Sequence, residues 1–355
     1  MSDARNTPSE TTRRRMLAGS AALAAASSLP SQVRAQSTQA QSTPGLGSAA
    51  EFTARAKAFL AMLSPEQRKA ATFAWNGREW RNWNYFGGFS LIKPGLRLEQ
   101  MNAAQQDAAW HLLAAVFSPA GLTKARNVML LQDVLAANGD SPSARSSKRF
   151  SFAFFGTPGD TGPWGFRLEG HHLSHSISVR DNRIVSVTPS SFSANPNRIG
   201  SGRHAGLTTL HAETQMARRL FADLDGKQAA AAKVSARPLG NIMSMSGAEL
   251  SNTRKTGLAA ADLRPAQQEL LWRVIGAFAQ DHLVPALAQA QASRLRAGDA
   301  QAIHFAWYGG NTPERAFGYR IIADAFVIEL GSVDPAALHL HTIYHDLGNV
   351  LGRTG

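Results

Sequence analysis

The chain has 355 residues, 44% hydrophobic and 17% charged, which is enough to bury a sizeable core. It contains no cysteine, which excludes disulfides, thiolate-held zinc, iron–sulfur clusters and a cysteine nucleophile; any metal would be held by nitrogen and oxygen. The formal charge of +12 is scattered, with no long Lys/Arg block and no nucleic-acid motif, so we expect a solvated basic surface and no nucleic acid as partner.

The N-terminal residues read as a targeting segment. Thr12-Arg13-Arg14-Arg15-Met16-Leu17 precedes a short run rich in Ala and Gly, then Val33-Arg34-Ala35, the pattern of a basic region, an apolar region and a small-residue cleavage site. The paired Arg resembles a twin-arginine export signal. Residues 1–35 are expected to be removed, the twin-arginine export machinery is the expected partner, and the location is periplasmic or secreted. Residues 36–50, made of Ser, Gln, Thr, Gly and Pro with few apolar side chains, read as a disordered linker. No run approaches the roughly 18–20 apolar residues of a spanning helix, so no membrane span is expected in the mature form.

Residues 51–355 read as a single domain. Apolar positions at helical spacing predict a helix over 54–63, and Ser64-Pro65-Glu66-Gln67 predicts the N-cap and proline start of a second, ending near Thr72. Residues 75–88 carry Trp75, Trp80, Trp83, Tyr85 and Phe86, either a packed lid or a pocket wall. Residues 101–117 and 122–137 are amphipathic helices, so 51–139 is mainly helical. Residues 150–155 and 164–179 read as strands of one hairpin, 184–188 as a third strand and 189–203 as irregular. A helix follows over 207–224, then an ambiguous stretch over 229–255. Pro265 opens a long helix to about Arg296, broken near Pro285. The end returns to strands over 302–308, 318–322, 325–330 and 338–344. This order predicts an α+β fold with an antiparallel sheet packed against a helical N-terminal segment and later helices.

Two short runs hold six of the 11 histidines: His171, His172 and His175, and His339, His341 and His345. On an extended strand Glu169, His171 and His175 share one face, His172 points away, and His339 and His341 share a face. Two imidazoles at that spacing, a third from another strand and a carboxylate such as Glu329 or Glu169 would suit zinc, copper or iron. The competing expectation is that these histidines are hydrogen-bonded core residues. His-Glu-x-x-His, Gly-x-Ser-x-Gly, Gly-x-Gly-x-x-Gly and phosphate loops are absent.

The chain resembles an exported bacterial family labelled domain of unknown function 3500. The resemblance rests chiefly on Gly170-His171-His172-Leu173-Ser174, preceded by Trp164-Gly165-Phe166-Arg167, and on the C-terminal His339-Leu340-His341. Phe155-Gly156-Thr157-Pro158, Thr188-Pro189, Asn195-Pro196 and Phe326-Val327-Ile328-Glu329 extend it. The chain departs from the family pattern at His175 (usually aliphatic), Ser176 (Asn), His345 (Arg) and Val350 (Asp). The family brings no assigned reaction. The resemblance implies a polar site at Glu169, His171, His172, Glu329, His339 and His341. There His339 and His341, with His171 or His172, would hold a divalent metal, Glu329 would be the fourth ligand or orient an imidazole, and Glu169 would act as general base. Hydrolytic and oxidative chemistry both fit such a site, as does an exported binding protein that takes up a small-molecule ligand or a metal without turnover.

Overall fold

The structure is a computed structural model that describes residues 45–87, 93–141, 144–247 and 253–352. The segment read as an export signal and most of the expected linker lie outside these residues. Packing begins ahead of Glu51: Leu46 and Ala49 are buried, and Gly47–Ser48 pairs with a later strand.

Among the described residues the helices are α1 (Ala50–Ala61), α2 (Pro65–Ala71), α3 (Arg78–Arg81), α4 (Ala103–Leu113), α5 (Pro119–Ala137), α6 (His211–Ala222), α7 (Gly226–Ala232), α8 (Pro265–Ala279) and α9 (Pro285–Arg296). The strands are β1 (Gly47–Ser48), β2 (Thr72–Phe73), β3 (Leu96–Arg97), β4 (Ser151–Phe155), β5 (Pro163–Gly170), β6 (Leu173–Arg180), β7 (Arg183–Ser186), β8 (Ser190–Phe192), β9 (Lys233–Ser235), β10 (Leu258–Ala259), β11 (His304–Gly309), β12 (Phe317–Ile322), β13 (Phe326–Ser332) and β14 (Leu340–Asp346). Local chemistry sets several helix starts. Ser64 and Gln67 form a capping box ahead of Pro65, Asn102 and Gln105 form another, and Ser118 caps α5 in front of Pro119. Pro285 separates α8 from α9, as a proline without an N–H must. No helix among the described residues is long and apolar enough to cross a membrane.

The strands form one large, mostly antiparallel sheet, with the order β10-β11-β12-β13-β14-β8-β6-β5-β4-β2 along its main path. Parallel pairs occur only at β2–β4 and β9–β11 among the described strands. The sheet is two meanders, β4–β7 and β11–β14, joined by β8. This short strand pairs with β6 through Leu173↔Phe192 and with β14 through Tyr344↔Ser190. It lies in the segment read as irregular, because Ser190 and Ser191 are polar although buried. As the seam between the meanders, β8 brings the two histidine runs to one place.

The two faces of the sheet differ. One packs on helices: Phe52 of α1 stacks on Trp164, Phe221 of α6 on Trp307, and Phe278 of α8 meets Tyr319 edge-on. The other face carries Arg167, Glu169, Arg320, Glu329, His341 and His345, and is covered by segments 80–86 and 239–246. Arg167 donates from Nη1 to the Glu79 carbonyl (3.0 Å), from Nη2 to the Trp80 carbonyl and from Nε to Ser176 Oγ (2.9 Å), which ties the aromatic stretch down as a cover.

Candidate metal centre

The hairpin differs from the extended reading of residues 164–179. Gly170 pairs with Leu173, so β5 and β6 are separate strands and His171-His172 is the turn between them. His172 takes φ +67, a left-handed backbone that few non-glycine residues adopt. Its N–H donates to the Tyr85 carbonyl (2.9 Å) and its carbonyl accepts from Ser193 (2.8 Å), which holds the turn between the cover and the end of β8. The last strand also differs: it starts at Leu340, one residue after His339, and runs through His345 to Asp346. His339 is held just ahead of the strand, its N–H donating to Asp334 Oδ1 (2.6 Å) and its carbonyl accepting from Val333 (2.7 Å).

These elements converge three imidazoles. His172 Nε2 lies 3.0 Å from His339 Nε2 and 3.3 Å from His341 Nε2, and the latter two are 3.0 Å apart. His172 and His341 are buried and His339 is half-buried, so the group faces outward on the His339 side.

Protons alone cannot satisfy this triangle. Each Nε2 either carries a proton or presents a lone pair. Among three such atoms at least two are alike, so one contact always sets proton against proton or lone pair against lone pair. A cation accepting three lone pairs removes the conflict. The edges also fit: zinc–nitrogen bonds of about 2.0–2.1 Å place tetrahedral ligand atoms about 3.3 Å apart. The three side chains therefore form a group that can hold a metal ion.

The tautomer of His341 follows from its neighbours. Asn241 Oδ1 accepts the Ile242 N–H (2.8 Å) and the Tyr85 hydroxyl (3.1 Å), so this atom is the amide oxygen. His341 Nδ1, 2.8 Å away, must donate to it, which leaves Nε2 as a bare lone pair in the neutral ring. Gly331 pairs with His341 across the strands; a Cβ there would press to 3.2–3.3 Å on the Asn241 backbone. Burial favours the neutral form of all three rings. It holds His341 down to about 3, with His339 adding to the effect, and holds His172 well below the ordinary value. It also lowers His339, which the Asp334 carboxylate partly restores.

The other expected site residues are committed elsewhere. His171 stacks on His172 with ring centroids 3.7 Å apart, but its Nδ1 meets the Arg145 guanidinium (2.9 Å) and the Gln132 amide (2.6 Å). His171 is not among the three rings whose nitrogens converge. Glu329 lies outside the three-histidine group: Oε1 accepts from Arg320 Nε (2.7 Å) and Ser244 Oγ (3.0 Å), and Oε2 from the N–H groups of Met243 (2.6 Å) and Ser244 (3.0 Å). It anchors the loop that carries Asn241. Glu169, expected as general base, accepts from the Asn84 N–H (2.6 Å) and Ser174 Oγ (3.2 Å) beside Arg167 (3.9 Å) and anchors the segment that carries Tyr85. No carboxylate joins the three histidines among the described residues. His345 shares the His341 face but bonds the Ser244 carbonyl (2.8 Å) and packs edge-on to Trp83.

Residues 47–350 match a family described as protein of unknown function (DUF3500). The chain belongs to the DUF3500 family. No curated protein and no solved structure matches it. Two residues of this DUF3500 site were not singled out from the sequence for the parts they play. Asn241 sits in the stretch left ambiguous, where a lone Asn carries no signal. Tyr85 belongs to the aromatic stretch, and its ring meets His341 edge-on at 5.0 Å.

Proposed function

We propose that this DUF3500 protein binds one divalent transition metal, zinc foremost, through Nε2 of His172, His339 and His341, and works as a hydrolytic metalloenzyme. The observation that carries this reading is the convergence of three imidazole nitrogens within 3.3 Å of one another. Three uncharged ligands leave the full charge of the ion to polarise a bound water or carbonyl, the chemistry of three-histidine zinc enzymes. Iron oxygenases characteristically add a carboxylate and blue-copper sites a thiolate; this group has neither, which favours hydrolysis over oxidation. Asn241 orients His341, and the half-buried His339 side is where a substrate would approach. With the export signal read at residues 12–35, the protein would act outside the cytoplasm.

The test is metal content by elemental analysis after zinc loading and desalting, on protein without affinity-tag histidines. About one equivalent in the native chain and none in folded His341→Ala is expected. A full equivalent retained by His341→Ala overturns the ligand assignment. One equivalent with no zinc-dependent turnover across esters, amides and phosphoesters would favour a binding protein.

A further inference from the structure

The starts of α5 and α6, with the end of α8 and the two residues Asp281 and His282, enclose a cleft of about 550 Å³, within the range of small-molecule pockets. None of the three converging histidines lines it. Two sets of hydrogen bonds build its walls. The Ser118 N–H donates to the His282 carbonyl (3.0 Å) and Ser118 Oγ to the Asp281 carbonyl (3.0 Å), and a Cβ at Gly121 would strike the His282 carbonyl, so α5 is seated directly on the turn that carries Asp281. Ahead of α6, Asn197 accepts the Leu210 N–H on Oδ1 (2.8 Å) and the Thr209 N–H on its carbonyl (2.9 Å).

The cleft holds both signs of charge. α6 begins behind Leu210, whose side chain cannot cap, so the first-turn N–H groups and the positive end of the helix are left to another acceptor. Beside them Lys124 of α5 pairs with the buried Glu213 of α6. Asp281 is exposed and has no ion pair among the described residues. Burial raises its carboxyl, Lys124 lowers it and Glu213 raises it, so the three charges act on one another within this one cleft. Two buried residues of the wall, Thr209 (9% exposed) and His282 (2%), have polar atoms without a hydrogen-bond partner: Oγ1 and both ring nitrogens. Unpartnered buried polar atoms in a cleft wall mark a place that a ligand or its waters complete.

We propose that this cleft is a second site, independent of the histidines, that binds a free aliphatic α-amino acid: its carboxylate on the first-turn N–H groups of α6 beside Lys124, its ammonium on Asp281. Lys124 and Glu213 offset each other, which leaves the positive helix end and the negative Asp281. A simple anion would meet Asp281, and a simple cation would meet the helix end and Lys124. A molecule carrying both charges satisfies both at once. Pro119, Ala120, Ala212 and Ala277 supply the small apolar surface for its side chain.

The probe is L-leucine, titrated by isothermal calorimetry into the native chain with and without zinc. N-acetyl-L-leucine, which lacks the ammonium, and L-leucine methyl ester, which lacks the carboxylate, are titrated beside it. Leucine should bind equally in both forms of the protein, and each blocked probe at least about tenfold more weakly, since each loses a charged contact. Asp281→Asn should weaken leucine at least about tenfold and leave N-acetyl-L-leucine unchanged. Ala212→Pro, which removes one N–H in the first turn where proline is tolerated, should weaken leucine and leave the methyl ester unchanged. Asp281 is exposed, so its variant gives a reading even if Ala212→Pro does not fold. No heat with leucine up to about 10 mM, or blocked probes that bind as tightly as leucine, overturns the inference. So does binding that requires zinc, which would be chelation at the histidines. The metal reading stands in each case.

Discussion

His172 and His175 are three residues apart, yet they belong to two buried histidine groups of opposite character. His172 joins His339 and His341, with three nitrogens converging and one ring oriented by Asn241. His175 joins His282 on the helix face, where the rings meet edge to face at 5.2 Å beside Phe117 and Phe192. There His175 Nδ1 meets Ser190 Oγ (2.9 Å), while His175 Nε2 and both nitrogens of His282 are buried without a hydrogen-bond partner. Burial lowers the basicity of both groups. Burial and histidine count therefore do not distinguish a metal centre from a core. Convergence of lone pairs and a neighbour that fixes the tautomer do.

The largest expected effect sharpens this contrast. His172→Ala should reduce zinc affinity by more than the about 10- to 100-fold typical of losing an outer-shell partner, whereas His282→Phe should leave it unchanged. Equilibrium dialysis of both variants reads this directly, and equal losses would erase the distinction. Glu329→Ala should cost about 3–5 kcal/mol of stability in urea unfolding, because it leaves Arg320 buried without its carboxylate and frees the loop that carries Asn241. A smaller loss than Ser244→Ala would contradict the anchoring role. Asn241→Ala should keep the fold and weaken zinc binding about 10- to 100-fold, since His341 then loses the acceptor that holds its proton on Nδ1.

A further effect concerns acid. The unfolded chain takes up a proton on His175 near the ordinary 6.5, whereas burial holds the folded ring neutral down to about 3. Between those values the unfolded state binds more protons, so stability present above pH 6.5 is lost as the pH falls through this window. His175→Phe should flatten the decline by up to ~1.4 kcal/mol per pH unit, without changing zinc content at pH 7.5. An unaltered acid slope would show that His175 does not carry it.

Much of the fold was legible because it is written locally. Ser64, Pro65 and Gln67 announce α2 within four residues, and Pro285 announces the break before α9. What was not legible depends on distant partners. The turn at His171-His172 lacks the Gly or Asn that marks tight turns, so the run reads as one extended strand and the wrong histidine appears to point away. β8 is three polar-to-aromatic residues whose role as seam is set by β6 and β14. His339 and His341 were found by type and spacing. Glu329 was found by type alone, and its bonds to Arg320 and the 243–244 backbone, by which it anchors a loop, carry no local signal.

The most direct measurement is anomalous diffraction from crystals of zinc-loaded protein at the zinc absorption edge. The account predicts one strong peak about 2.0–2.1 Å from Nε2 of each of His172, His339 and His341, with Asn241 still bonded to His341. The absence of a peak there, or a full-occupancy peak at other residues, would contradict it.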